Sequence, residues 1–419
     1  MKKLTFIDLF AGCGGLSEGF LSSDKFEGIA HVEWEKPMVN TLRHRLVDKW
    51  KHSEEDAEKR VIHFDIQRTE ELISGNWKES TKKEYAETNH IDIIKDGING
   101  LVGKSKVDLV IGGPPCQAYS IAGRAQDKNG MNDDYRNYLF ESFVKVVDAY
   151  RPSAFVFENV PGMLSAEPGG VKVTERIYEA FTAIGYKIRK PEELKNSVCT
   201  ASEFGVPQKR SRVILIGVNK NSDLDLEVLY AAVNKQKVDK VKTVKDAIGG
   251  SKLPILTPVK NQAAEKVKTG VNVSHTNNSK KSIPFHSPRY NNERDVETFR
   301  QWVSKGMNKE KTANKIQFYT DRTGKTSNHA KYRNLEWDKP SPTIVAHLYK
   351  DGLMFIHPDA EQARSITVKE AALLQSFPDD FEFVGSMGSC YKMIGNAVPP
   401  EMARRIAVGI SDIIRIKNN

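Results

Sequence analysis

A chain of 419 residues, 39% hydrophobic and 28% charged, is long enough for one large globular domain and a smaller one. No stretch approaches the roughly 18 apolar residues of a membrane span, and the run Leu4–Ile7 is cut by Asp8 too early for a secretory leader. Cys13, Cys116, Cys199 and Cys390 stand far apart with no CxxC pair, which argues against a disulfide framework or a zinc site and for a reducing, cytoplasmic setting. The net charge of +9 is unevenly placed: residues 231–340 hold 23 Lys and Arg against 10 Asp and Glu, leaving the remainder of the chain acidic. Aromatic residues, among them Phe285, Trp302, Tyr319 and Trp337, are interleaved with these charges. A localised basic surface suits a polyanion such as nucleic acid, although charge alone is equally a property of a solvated face.

In chain order, the first third alternates strands with helices. The predicted strands are Leu4–Phe10, Gly28–Glu33, Val61–Asp65, Val107–Gly112 and Ala154–Glu158. Between the last two, residues 138–150 place Leu139, Phe140, Phe143, Val146 and Val147 at helical spacing. This alternation predicts an α/β fold with a doubly wound parallel sheet. Arg212–Val218 reads as a late strand, with an antiparallel setting open. Ile66–Lys106, rich in Lys and Glu, reads as an exposed insertion. After Asn219 the alternation fades into a second, mostly irregular region, and order returns at Ile366–Phe377 and in a final helix from about Pro400 to Ile416.

Ligands of open α/β sheets bind beyond the carboxyl ends of the strands. The first strand runs into Phe10-Ala11-Gly12-Cys13-Gly14-Gly15, whose glycines allow a tight turn and close backbone approach to a ligand. It lacks the full GxGxxG pattern, and a plain structural turn is the competing reading. The second strand ends at Glu33-Trp34 and the third at Asp65-Ile66. A carboxylate there can accept from ribose hydroxyls, and an acidic–apolar pair can hold an adenine amino group and cover its ring. Both acids could instead cap the following helices. The fourth strand ends in Gly113-Pro114-Pro115-Cys116-Gln117, a rigid polar loop that suits a nucleophilic cysteine better than a core filler. Cys13 and Cys199 fit the filler role. The fifth strand ends in Glu158-Asn159-Val160, where partial burial would raise the glutamate's pKa and let it act as an acid.

With these residues on the page, the chain resembles the cytosine-C5 DNA methyltransferase family, in its prokaryotic, restriction–modification form. Six signatures occur in the family's order: FIDLFAGCGGL (6–16), GGPPCQAYS (112–120), ENV (158–160), QKRSR (208–212), the RxxTxxExxxLQxFP run from Arg364 to Pro378, and GNAVPP (395–400). Together they span nearly the whole chain. The resemblance implies a Rossmann-like catalytic domain over 1–225 and 388–419. It also implies a small domain over 226–387, with the target-recognition region at about 231–345. Pro342-Thr343-Ile344 resembles that region's usual closing Thr-aliphatic pair.

The same resemblance implies S-adenosylmethionine as cofactor, leaving as S-adenosylhomocysteine, and calls for no metal. Phe10, Gly12, Gly14, Glu33, Trp34, Asp65, Ile66, Pro115, Leu139 and Asn396 fall on its pocket positions, with Trp34 against the adenine. Cys116 is the implied nucleophile at C6 of cytosine and Glu158 the group at N3. Arg210 would orient Glu158, and Arg212 would contact the base or the Cys116 loop. Gln117 and Ser120 sit on the loop expected to close over a flipped base. Ala122 departs from members that carry a second serine there. A transfer-RNA-acting branch keeps Pro-Cys-Gln and Glu-Asn-Val but has a compact recognition region, so the long basic segment favours double-stranded DNA. A catalytically dead paralogue would have lost the cysteine, the glutamate or the glycine turn, all of which are present. A monomer, with a cognate restriction endonuclease acting separately, is the expected setting.

Overall fold

The computed structural model describes residues 2–114, 139–260, 272–277, 282–350 and 352–418. Among the described residues the first half holds the strands β1 (Leu4–Leu9), β2 (Phe26–Glu33), β3 (Val61–His63), β4 (Leu109–Gly112), β5 (Ala154–Asn159), β6 (Tyr186–Lys187), β7 (Val198–Thr200), β8 (Gln208–Lys209) and β9 (Ser211–Asn219). The central sheet has the order β3-β2-β1-β4-β5-β9-β6, with β7 also paired to β9. Strands β1 to β5 are parallel and β9 runs antiparallel to β5. The strand order reverses between β1 and β4, and it is at such a switch point that a crevice opens beyond the strand ends.

The central strands are apolar on both faces because both are covered. Along β1, Ile7 and Leu9 enter one hydrophobic cluster while Leu4 and Phe6 enter the other, following the period-2 alternation of strand side chains. The helices of the first half are α1 (Gly15–Ser22), α2 (Lys36–Asp48), α3 (Glu54–Arg60), α4 (Thr69–Ser74), α5 (Glu79–Tyr85), α6 (Ile91–Val102), α7 (Leu139–Tyr150) and α8 (Val173–Ala183). The Ile7 face is covered by Leu72, Ile93, Ile98, Phe143 and Phe181, from α4, α6, α7 and α8.

Ile66–Lys106 is therefore not an exposed insertion. Trp77, Tyr85, Ile93, Ile98 and Val102 are all buried, and the Trp77 ring lies 4.6 Å from that of Phe64. Its few apolar residues are spaced to meet the sheet, while the Lys and Glu residues between them face water. Composition averages the two faces into a polar stretch.

The second half contains α9 (Leu226–Asn234), α10 (Val244–Ile248), α11 (Glu293–Ser304), α12 (Thr312–Thr323), α13 (Val368–Leu374), α14 (Met387–Asn396) and α15 (Pro400–Asn418). Leu229, Tyr230 and Val233 of α9 share the Phe6-face cluster with Met402, Ile406 and Ile410 of α15. The region after Asn219 is more ordered than its sequence predicts. It holds an antiparallel sheet of β10 (Leu256–Lys260), β11 (Asn272–Asn277) and β12 (Asn291–Asn292), and the helix pair α11–α12. Strand β13 (Ser341–Pro342) returns to pair with β8. A third cluster joins Val244, Ile344, Leu374, Phe377 and Tyr391 to Cys13 and Met38 of the first half. Near it, Arg364 makes two 2.7 Å contacts with the Glu370 carboxylate, and both side chains are buried.

Candidate active site

The crevice at the switch point is a cavity of about 730 Å³. Its floor is the turn after β1, where Phe10, Gly12 and Gly14 all have positive φ (59°, 57° and 90°). Left-handed backbone is strained for Phe10 and natural for the two glycines. Phe10 and Gly12 line the cavity; Gly14 does not, serving as N-cap of α1 with Leu42 packed where a Cβ would stand.

Glu33, at the end of β2, is buried and accepts three backbone hydrogen bonds. Gly12 N donates to Oε2 at 2.8 Å, while Trp34 N and Glu35 N donate to Oε1 at 2.9 and 2.8 Å. Burial pushes its carboxyl up to about 6, against those amides. The carboxylate thus pins the glycine turn to the β2–α2 connection while still facing the cavity. Trp34 follows with 56% of its surface exposed, an unusual position for so large an apolar ring. Asp65 caps its own turn by accepting from Gln67 N at 3.0 Å, and both Asp65 and the buried Ile66 line the wall. Neither acid caps the helix that follows it: Glu35 and Arg68 stand at the N-caps of α2 and α4, without side-chain cap bonds, and both Glu33 and Asp65 are left on the cavity. Leu139, the first residue of α7, lines the wall from the far side.

Asn396 reaches the cavity with Gly395, Ala397 and Val398 from the C-terminal segment. Side chains that sequence reasoning passed over hold this segment in place. Gln375 Nε2 donates to the carbonyls of Ile394 (3.1 Å) and Ala397 (2.7 Å), and Gln208 in turn bonds Gln375. Lys392 bridges both oxygens of Glu35 at 2.9 and 2.7 Å across the cavity mouth. Gln375 lies in the LQxFP signature and Lys392 three residues before Gly395-Asn396, but neither position tells from sequence which partner it meets. Asp8, fully buried in the cavity wall, was also passed over; it reads as an interior strand residue.

At the ends of β4 and β5, Gly113 and Glu158 are in close contact. A Cβ on Gly113 would stand 2.6 Å from Glu158 Oε2, so glycine makes room for the carboxylate. Arg212 Nε lies 2.7 Å from Glu158 Oε1, with both side chains 12% exposed. The sequence expectation assigned this partner to Arg210 and is corrected here. Arg210 donates instead to the carbonyls of Ile344 (2.8 Å) and Gly395 (3.0 Å). The register explains the exchange: Glu158 faces Ile214, so Arg212 is the diagonal neighbour on the same face, while Arg210 lies a further two residues out. Arg210 and Arg212 both line the cavity.

Pro115, Cys116, Gln117 and Ser120 lie outside the described residues, as does Ala122. The described loop ends with Gly113 and Pro114 on the cavity wall, beside Glu158. Cys13, Cys199 and Cys390 are buried, and burial raises all three thiols, the latter two to about 11. Among the described residues no group of three or more His, Cys, Asp or Glu is placed to hold a metal ion, and no helix is long and apolar enough to cross a membrane.

Comparison with known proteins places this geometry. Among solved structures, a putative DNA modification methyltransferase encoded within an Escherichia coli prophage superposes with a TM-score of 0.59 at 24% identity, covering 99% of this chain and 100% of that one. The Dnmt2 methyltransferase of S. pombe superposes with a TM-score of 0.52 at 13% identity, covering both chains fully. These two likenesses concern the fold. In sequence, the chain is 35% identical to the type II methyltransferase M.Bpa9945I of Bacillus paralicheniformis, over 97% of this chain and 98% of that protein. It is 30% identical to the type II methyltransferase M1.HphI of Haemophilus parahaemolyticus, over 97% and 87%. The family model described as C-5 cytosine-specific DNA methylase matches residues 4–77 and 70–412. With a match of that extent, the chain belongs to the C-5 cytosine-specific DNA methylase family and is a DNA (cytosine-5) methyltransferase of the type II restriction–modification kind.

Proposed function

We propose that this chain methylates carbon 5 of a flipped-out cytosine in a specific double-stranded DNA sequence, through a transient bond between Cys116 Sγ and C6 of the base. The observation that carries this reading is the Glu158–Arg212 pair, nearly buried at the cavity wall against Gly113, three residues before Cys116 in sequence. An ion pair in such a place is costly to desolvate and gives little net stability; a chemical role accounts for it.

The cavity residues fit S-adenosylmethionine. Trp34 offers an exposed ring face for the adenine, the Glu33 carboxylate can accept from ribose hydroxyls, and Asp65 with Ile66 suits the amino edge and face of the purine. Phe10, Gly12, Leu139 and Asn396 complete the wall, and the volume is typical of a small-molecule site. When bound, S-adenosylmethionine supplies an electrophilic methyl group.

The remaining chemistry belongs to the chain. The target base is flipped out of the duplex, at a cost of a few kcal/mol of unstacking. Addition of the Cys116 thiolate forms the S–C6 bond, moves the C5–C6 electron pair between C4 and C5, and leaves charge on N3. Glu158 holds a proton at N3 as that charge develops, and Arg212 keeps the carboxyl group facing the base. C5, now the nucleophilic carbon of an enamine, accepts the methyl group. Solvent water takes the C5 proton, whose electron pair re-forms the C5–C6 double bond and expels the thiolate, and N3 returns its proton to Glu158. A monomer suffices for this scheme, and a cognate endonuclease would act on the same sequence separately. Conversion sequencing of DNA from cells expressing the chain tests the reading: one recurrent methylated motif supports it, and its persistence in a Cys116→Ser strain contradicts it.

A further inference from the structure

Helix α12 differs from the other long helices of the described chain in burying none of its residues completely. Its inner side is held by aromatic contacts and by a hydrogen bond from Arg322 to Gln301 of α11: Phe318 lies 5.5 Å from the buried Trp302, and Tyr319 lies 5.6 Å from the buried Tyr332. The connection from α11 is fixed by Asn308, which accepts from Trp302 Nε1 at 3.0 Å, donates to Asn334 O at 2.8 Å, and receives Lys315 Nζ on its carbonyl at 2.7 Å. The helix is therefore rigidly presented, not loosely attached.

Its outer side carries Thr312, Ala313, Asn314, Gln317 and Asp321, all exposed. Positions 314, 317 and 321 recur at the three- and four-residue spacing that puts side chains on one helical stripe. No apolar side chain larger than alanine lies among them, so the stripe lacks the anchors that a protein groove would need. Asn314 donates to Glu310 and Gln317 to Asp321, each at 2.7 Å, which holds both amides at the surface. Those two carboxylates are the only acids between Lys305 and Arg333, against eight Lys and Arg. Lys305, Lys309, Lys311 and Lys325 are exposed on either side of the helix.

We propose that α12 enters the major groove of double-stranded DNA and reads the target sequence, with Asn314 and Gln317 toward the base edges and the flanking lysines on phosphates. This rests on the reading of residues 231–345 as the recognition region. The major groove is wide enough for a helix, Asn and Gln amides match the edge of adenine, and a carboxylate such as Asp321 matches the amino group of cytosine. Small residues at 312 and 313 leave the helix backbone free to approach. The lysines supply the sequence-independent attraction.

The full-length protein tests the assignment on a library of duplexes with randomised flanks around cytosine, read by conversion sequencing. For Asn314→Ala/Gln317→Ala, we expect an unchanged melting temperature and cofactor affinity. One or two positions of the methylated motif should degenerate, with about 5- to 150-fold lower kcat/KM on the parental site. Lys309→Gln or Lys311→Gln should weaken binding to every duplex alike and lower the salt dependence by about one phosphate contact. An unchanged motif and rate in the double variant overturns the role of α12 while leaving the recognition region intact. A wild-type protein that methylates duplexes without a motif, or only RNA, overturns the underlying reading as well.

Discussion

Arg212 Nε sits 2.7 Å from Glu158 Oε1, one diagonal step across the β5–β9 ladder, and no described residue stands between this pair and the cavity. Breaking it should act on chemistry and stability together. Glu158→Gln keeps the shape but loses the acid, which typically lowers rate by ~10²–10⁴-fold. Arg212→Ala should also cut turnover and lower stability, since it strands a nearly buried carboxylate. Arg210→Ala should behave differently. It removes the bonds to Ile344 O and Gly395 O and should raise KM for the cofactor more than it lowers kcat. Single-turnover rates and cofactor titrations separate the two arginines; identical profiles would contradict the exchange of roles.

Glu33 should make cofactor binding depend on pH. Its carboxyl is pushed up to about 6 by burial, and the ionised form is the acceptor that ribose hydroxyls need. Affinity should hold above pH 7 and weaken as pH falls through about 6. Glu33→Gln should bind more weakly and with a flatter profile. Calorimetric titrations between pH 5 and 8 check this, and a flat wild-type profile would contradict it.

Asp8 lies fully buried in the cavity wall, with Ser17 Oγ donating to Oδ2 at 2.5 Å and lying 2.7 Å from His31 Nδ1. Burial pushes the Asp8 carboxyl to about 7, against the Ser17 bond, and pushes His31 down to about 3, so the imidazole is neutral. The folded value for Asp8 exceeds the ordinary 3.8. Its contribution is thus fully present below about pH 4 and is lost as pH rises through 7, a change on the order of a few kcal/mol. Denaturant midpoints at pH 4.5 and 7.5 should show this decline in the wild type and a smaller one in Asp8→Asn. Equal declines would contradict it.

Glu370 supports the C-terminal half at a distance from the chemistry. Burial alone would raise its carboxyl, yet the Arg364 guanidinium holds it far below the usual carboxylate range. Removing one partner of such a pair costs about 3–5 kcal/mol. Glu370→Gln should lower the unfolding free energy by about that much while the folded fraction keeps its motif and kcat. A variant with unchanged stability but altered motif would contradict a structural role.

The sequence made the strand ends legible because ligands of a parallel sheet gather at one edge. That edge collects Gly12, Glu33, Asp65 and Glu158 from four separate stretches of chain. It could not separate Arg210 from Arg212, two residues apart in one signature; only the pairing of Glu158 with Ile214, which puts Arg212 of β9 on the diagonal and leaves Arg210 before the strand, decides between them. Gln208 and Gln375 stand inside two of the quoted signatures, QKRSR and LQxFP, but the sequence does not say which distant groups their amides bond. In Ile66–Lys106, Trp77 and Tyr85 were the available signal, large rings set in a polar run, and averaging over composition concealed them. The helix pair α11–α12 was hidden in the same way among lysines.

The covalent route through Cys116 is tested most directly by trapping. Duplex DNA carrying 5-fluorocytosine at the target position has no C5 proton to lose after methyl transfer, so the S–C6 bond cannot be released. With S-adenosylmethionine present, the wild-type protein should form a denaturant-stable complex with one strand. Mass spectrometry should locate the link on Cys116, and Cys116→Ser should form none. A preparation that methylates ordinary cytosine yet yields no such complex with the fluorinated duplex would contradict the mechanism.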